Sequence, residues 1–84
     1  MKYCLITFRS VTPAQRGEQV LRKAGIESRL SRTPRPLEEK GCGYSLQLRP
    51  ADGPRAAAQL HRQQIPFRKM YLWDENGMAE ELEV

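Results

Sequence analysis

Six segments of alternating strand and helix character, separated by proline and glycine, constrain this fold more than any other feature. Four have the residue types or the two-residue alternation of strands, and two have the apolar spacing of helices. In chain order they occupy residues 3–8, 13–24, 26–31, 44–49, 52–64 and 67–73. The order β-α-β-β-α-β predicts an α+β, ferredoxin-like fold. We expect two helices on one face of a four-stranded antiparallel sheet, whose other face is bare unless a partner covers it.

Capping residues delimit the two predicted helices. Thr12 is a suitable N-cap for the first helix, and Gly25 follows its last apolar residue. Asp52 is a suitable N-cap for the second helix. Residues 32–43 lie between the second and third strands and contain two prolines and two glycines, so we expect them to form a loop.

The charge of the chain is unevenly distributed. The net charge is +4; all 14 lysines and arginines precede Asp74, whereas five of the ten acidic residues lie in residues 74–84. The 84 residues suit one small domain, which we place at residues 1–73, followed by an acidic C-terminal tail at residues 74–84. The basic body favours anionic partners such as nucleic acid, phosphate or an anionic protein. The alternative interpretation of the same composition is that the arginines are scattered over the surface and only solvated.

The sequence indicates a cytoplasmic protein that is not bound to a membrane. No apolar run approaches the ~20 residues of a membrane-spanning helix, and the N-terminal residues become polar too early for a signal peptide. In a reducing compartment Cys4 and Cys42 are expected to be thiols. Cys4 alternates with Ile6 and Phe8 in the first strand, so we expect it to be buried and inert.

The sequence does not suggest a metal site, a bound cofactor or a serine-hydrolase triad. His61 is the single histidine, and the two cysteines do not have the spacing of metal ligands. His61 also lies within a predicted helix, where it is poorly placed to serve as the base of a triad.

Residues 40–44, KGCGY, overlap the signature of RNA-recognition domains, in which the third strand presents aromatic rings to the bases. Cys42 occupies the position where that signature requires an aromatic ring. Tyr44 alternates in phase with Leu46 and Leu48, which predicts that Tyr44 points into the core. Sequence-specific RNA binding through this strand is therefore weakly supported.

Cys42 is the alternative functional feature of the same stretch. In a sheet of this topology, the start of the third strand lies beside the end of the first strand, where the first helix begins. The N-terminus of a helix and nearby arginines favour a thiolate over a thiol. The predicted site consists of Cys42 as the reactive thiol, with Arg9, Ser10, Thr12, Arg35, Gly41 and Gly43 as binding residues. The competing interpretation is that Cys42 is only a small residue in a tight loop.

The chain resembles a family of small bacterial proteins described as putative selenium/sulfur carrier protein-like. The resemblance extends from Tyr3 to about Tyr71 and rests on four features in order. They are a first strand that ends at residues 7–10, a helix that opens at Thr12, a turn at residues 33–35, and Cys42-Gly43 before an apolar strand.

The resemblance implies a carrier function for Cys42. It would hold sulfur or selenium as a persulfide or selenopersulfide, with Arg9, Ser10 and Arg35 lining the site. A donor protein such as a cysteine desulfurase would load the thiol, and an acceptor enzyme would unload it. A carrier or accessory protein is therefore expected in preference to a stand-alone enzyme.

Two other functions remain open from the residues alone. One is a small regulatory or interaction module that binds an anionic ligand or a protein partner, with Cys42 as a structural residue. The other is RNA binding through Tyr71, Trp73 and Lys69 on the fourth strand. Packing at an edge strand, or a homodimer contact across a bare sheet face, would explain the same aromatic residues.

Overall fold

The computed structural model describes residues 2–37 and 43–83 of the chain. Its regular elements are β1 (Lys2–Phe8), α1 (Val11–Lys23), β2 (Arg29–Arg32), β3 (Tyr44–Leu48), α2 (Gly53–Arg62), β4 (Met70–Asp74) and β5 (Ala79–Leu82). Two short 3₁₀ turns lie at Arg35–Leu37 and Pro50–Asp52. The strands form one sheet in the order β2-β3-β1-β4-β5, and every neighbouring pair is antiparallel.

The predicted four-stranded, ferredoxin-like sheet is wrong, because the described chain forms a five-stranded sheet. Strand β5 pairs with β4 from Met70 opposite Leu82 to Trp73 opposite Ala79. It lies in the acidic segment that we expected to be a tail. The alternation of apolar residues does not reveal β5, since three of its four residues are exposed and two are acidic. Charged residues are common on edge strands, where they discourage pairing with another chain.

A tight turn explains why the chain returns to the sheet after β4. The carboxylate of Asp74 accepts hydrogen bonds from the backbone N–H groups of Asn76 and Met78, at 2.9 and 3.0 Å. Gly77 has a φ of 85°, a conformation that residues with a side chain rarely adopt. The residue types of the sequence Asp-Glu-Asn-Gly are typical of turns, and the turn that they form leads directly into β5.

Helices α1 and α2 cover one face of the sheet. The core on this face contains the alternate residues Cys4, Ile6 and Phe8 of β1 and apolar residues of β3 and both helices. Gly17 allows α1 to approach closely, since a Cβ atom there would lie 3.2 Å from the ring of Phe8 and 3.3 Å from Leu60. None of the helices in the described residues is long and apolar enough to cross a membrane.

The face of the sheet away from the helices is called here the helix-free face. We expected it to be bare unless a partner covers it, but residues of the chain itself cover part of it. Leu5, Tyr71 and Trp73 form a buried cluster on it, with exposed fractions of 1%, 9% and 9%. Leu37 packs against this cluster from the Arg35–Leu37 turn. The connection between β2 and β3 therefore contributes to covering the helix-free face. The proposed aromatic surface at Tyr71 and Trp73 for RNA or a second subunit is not exposed.

The ends of the helices differ in detail from the predictions. The N-cap of α1 is Ser10, with extended backbone angles, while Thr12 lies within the first turn. Gly25 follows α1 with a φ of 79°, as its position predicts. Asp52 is the N-cap residue of α2, but its side chain makes no capping hydrogen bond. Its carboxylate instead binds Arg49 and Arg55.

Candidate functional site

Three strands bring their ends together beside Gly43. Tyr44, the first residue of β3, pairs with Phe8 of β1 on one side and with Arg32 of β2 on the other. The backbone N–H of Thr33 donates a hydrogen bond of 3.0 Å to the carbonyl oxygen of Gly43. The last residues of β1 and β2 thus flank the start of β3. This region is called here the Gly43 end of the sheet.

Five of the seven predicted site residues lie in the described part of the chain. Arg9 and Ser10 follow Phe8 directly and are exposed. Thr12 is exposed in the first turn of α1, and Arg35 is exposed at the first residue of the Arg35–Leu37 turn. Gly43 is buried.

Gly41 and Cys42 lie outside the described residues. Among the residues that are described, the pairing brings Arg9 and Ser10 to the same end of the sheet as Gly43. Arg35 lies two residues after Thr33, whose N–H binds Gly43. The backbone therefore brings these described residues to one end of the sheet, while their role as a binding site stays a prediction.

A row of hydroxyl groups on the helix-free face was not anticipated. Ser45 lies opposite Thr7 of β1 and Ser31 of β2, so the three residues form one row across the sheet. The hydroxyl of Ser45 is 3.0 Å from that of Thr33, within hydrogen-bond distance. The alternation of Tyr44, Leu46 and Leu48 places Ser45 on the opposite, outer side of β3, where we expected it to be exposed, yet it is fully buried. The signal in the sequence was a polar residue at the same alternating position in three successive strands.

Arg32 adds a further positive charge at the Gly43 end. Its guanidinium carbon lies 5.6 Å from the centre of the Tyr44 ring, a distance suited to a cation–π contact. Tyr44 is half-buried and packs against the core on the helix side, which confirms its predicted orientation. An arginine therefore lies over the face of the Tyr44 ring.

The start of α1 carries the positive end of the helix dipole to the same region. No acidic residue lies in the first turn, and the Ser10 side chain makes no capping hydrogen bond. The first N–H groups of a helix have no partner within the helix, so they attract anions. The start of α1 therefore contributes a local preference for negative charge next to Arg9.

Cys4 is excluded as the reactive thiol by its environment. It is fully buried in the core under the helices, as predicted. Burial raises the pKa of the Cys4 thiol from 9.0 to about 11. At neutral pH this thiol is therefore protonated and inaccessible, and the thiolate is the form that reacts.

No three histidine, cysteine, aspartate or glutamate side chains in residues 2–37 and 43–83 are grouped so that they could hold a metal ion. The described polar groups at the Gly43 end of the sheet include guanidinium groups, hydroxyl groups and backbone N–H groups. Such groups bind anions by hydrogen bonding.

One of three comparisons with known proteins found a match, and this match agrees with the sequence resemblance. A family model described as "Putative Se/S carrier protein-like" matches residues 3–72. A comparison with curated proteins and a comparison with solved structures each found no match. The matched region extends from β1 into β4 and includes both helices. Because the match covers most of the chain, this protein belongs to the putative Se/S carrier protein-like family.

Proposed function

We propose that this protein is a sulfur or selenium carrier that uses Cys42 as its carrier thiol. The observation that supports this most is the position of Gly43, which is joined to Cys42 by one peptide bond. Gly43 lies where the end of β1, the start of α1 and the end of β2 come together. The family match points to the same kind of function.

The charges at the Gly43 end of the sheet favour an anionic sulfur species. Arg9 and Arg35 are exposed there, and Ser10 begins the helix whose N-terminal dipole is uncompensated by a first-turn carboxylate. A persulfide is more readily ionised than a thiol, so it benefits more from such surroundings. Arg9 and Arg35 are thus proposed to stabilise the loaded cysteine without forming a bond to it.

Loading is proposed to occur by transfer of a sulfane sulfur. The thiolate of Cys42 attacks the outer sulfur of a persulfide on a donor such as a cysteine desulfurase. A new S–S bond forms on Cys42, the S–S bond of the donor breaks, and the donor leaves as its thiolate. The transfer involves no net oxidation, and a selenium atom would follow the same course. Unloading repeats the exchange when a nucleophile of the acceptor enzyme attacks the outer atom.

Intact-mass spectrometry tests this proposal. The protein is incubated with a cysteine desulfurase and cysteine, and one added sulfur atom, about 32 Da, is expected on the chain. The Cys4→Ala variant should be loaded to the same extent, and the Cys42→Ser variant should not be loaded. Loading of Cys42→Ser, or no loading of the unaltered protein, would contradict the proposal.

A second experiment tests the contribution of charge. Arg9→Gln removes a positive charge at the Gly43 end, whereas Arg16→Gln removes one from an exposed position further along α1. We expect Arg9→Gln to slow loading several-fold more than Arg16→Gln. Equal rates for the two variants would show that Arg9 does not act on the reacting sulfur.

A further inference from the structure

A groove of about 480 Å³ lies at the other end of β3 from Gly43. Its walls come from the first residues of β1, the start of β2 and the residues that follow β3. Arg49 is six residues after Gly43, which places the groove roughly 20 Å from that glycine at ~3.3 Å per strand residue. The groove is therefore separate from the proposed carrier site.

Positive charge predominates among the residues that line the groove. Lys2, Arg29 and Arg49 contribute three cations, against the single carboxylate of Glu27. Arg49 is held by a 3.1 Å hydrogen bond from its Nε to the carboxylate of Asp52. Within residues 2–37 and 43–83, neither Lys2 nor Arg29 has a carboxylate within 4.0 Å. Two of the three cations are thus available to an anionic ligand.

Uncharged groups add directional contacts and an apolar surface. Gln47 of β3 lies opposite Arg29 of β2, so the two side chains leave the sheet from neighbouring positions on the helix-free face, and both residues line the groove. Ser28 is among the residues that line the groove, and its hydroxyl oxygen is buried with no hydrogen-bond partner in the described structure. Tyr3 and Leu48 provide the apolar part of the walls.

We propose that this groove binds a small organic phosphate, with the phosphate group held by Arg29 and Lys2 and the organic part against Tyr3. A phosphate monoester carries close to two negative charges at neutral pH and several acceptor oxygens, which matches the two cations and the Gln47 amide. This site does not depend on Cys42. Binding of an organic phosphate would be a second property of this protein, separate from the carriage of sulfur or selenium.

A nuclear magnetic resonance titration of the ¹⁵N-labelled full chain with phenyl phosphate tests the proposal. Saturable shifts are expected at the backbone amides of Ser28, Arg29 and Gln47. Arg29→Gln should weaken binding about tenfold, which corresponds to loss of one charge-assisted hydrogen bond. Arg62→Gln makes the same charge change at the exposed C-terminal end of α2 and should weaken binding by about twofold or less.

Further variants and probes decide between the outcomes. Lys2→Gln provides a second test of the cation requirement if Arg29→Gln does not give the spectrum of a folded protein. Benzoate, which carries one charge, should bind at least several-fold more weakly than phenyl phosphate. Cys42→Ser should bind phenyl phosphate as the unaltered chain does, so a failed carrier experiment leaves this test unaffected. The absence of saturable shifts, equal weakening by Arg29→Gln and Arg62→Gln, or equal affinity for benzoate would each overturn the proposal.

Discussion

The Asp52 carboxylate connects the start of α2 to the end of α1, and its removal gives a stability effect that can be worked out from the structure. Asp52 is 5% exposed and accepts hydrogen bonds from Arg49 at 3.1 Å and Arg55 at 3.5 Å. Arg55 also donates to the carbonyl oxygen of Ala24, just after α1, at 3.2 Å. Replacing Asp52 with Asn keeps the shape of the side chain and removes its charge.

The expected cost of Asp52→Asn is moderate because the two arginines are largely in solvent. Their side chains are 81% and 60% exposed, so each ion pair is screened and contributes roughly 0.5 kcal/mol. The negative charge at the start of α2 adds about 0.5 kcal/mol through the helix dipole. We therefore expect the free energy of unfolding to fall by about 1.5 kcal/mol, and the melting temperature by roughly 6–12 °C for a domain of this size.

Urea unfolding followed by the fluorescence of Trp73 measures this change, since Trp73 is the single tryptophan and is buried. Glu80→Gln is the matched control, because it removes the same charge from an exposed residue of β5 and should cost less than about 0.5 kcal/mol. The difference between the two variants should shrink in 1 M salt, at a Debye length of about 3 Å. Equal costs for the two variants would refute the bridging role. A cost of about 4 kcal/mol would refute the assumption of solvent screening, since such losses follow from breaking a buried ion pair.

Three further predictions concern the core and the helix-free face. Burial raises the pKa of the Cys4 thiol from 9.0 to about 11, so the folded state disfavours its ionisation. The contribution of the neutral thiol to the free energy of unfolding, which is fully present below pH 9, should therefore be lost between pH 9 and pH 11. Urea midpoints of the Cys42→Ser chain should therefore fall more over this pH range than those of Cys42→Ser combined with Cys4→Ala, and equal falls would contradict the assignment. Leu37→Ala should destabilise the chain by about 1–2 kcal/mol and shift Trp73 emission to longer wavelength, since Leu37 packs on its cluster; an unchanged spectrum would show that Leu37 does not cover the tryptophan. Gly77→Ala should cost about 1 kcal/mol because of its positive φ and should speed hydrogen exchange in β5, and unchanged exchange would argue against the turn.

The spacing of apolar residues predicts β1, β3 and both helices close to their observed positions, because each of these elements buries apolar side chains. Strand β2, expected at residues 26–31, begins at Arg29 and has no fully buried residue, and β4, expected at residues 67–73, begins at Met70. Ile6 and Phe8 follow the two-residue period of β1, and Leu21 and Leu60 are fully buried in the two helices. Strand β5 buries little, so hydropathy could not predict it. Its signal was the turn chemistry of residues 74–77, which we interpreted as a turn followed by an acidic tail or a weak addition to the fold.

The environment of the site was harder to predict than the strands that position it. Pairing of Phe8 with Tyr44 follows from the order of the elements, so the location of Gly43 beside the start of α1 could be expected. Packing of Leu37 on the helix-free face could not, because it depends on the path of a loop with no periodic pattern. The hydrogen bond between Ser45 and Thr33 depends on the same path. Tertiary contacts of loops are not encoded in local alternation, and they contribute to the burial of Tyr71 and Trp73.

The position of the transferred atom within the chain is the most direct test of carriage by Cys42. After incubation with a cysteine desulfurase and cysteine, the unaltered protein is digested without reductant and its peptides are analysed by tandem mass spectrometry. One extra sulfur, about 32 Da, is expected on the peptide that contains Cys42 and none on the peptide that contains Cys4, which is fully buried. Extra sulfur on Cys4, or on neither cysteine, would contradict the proposed function.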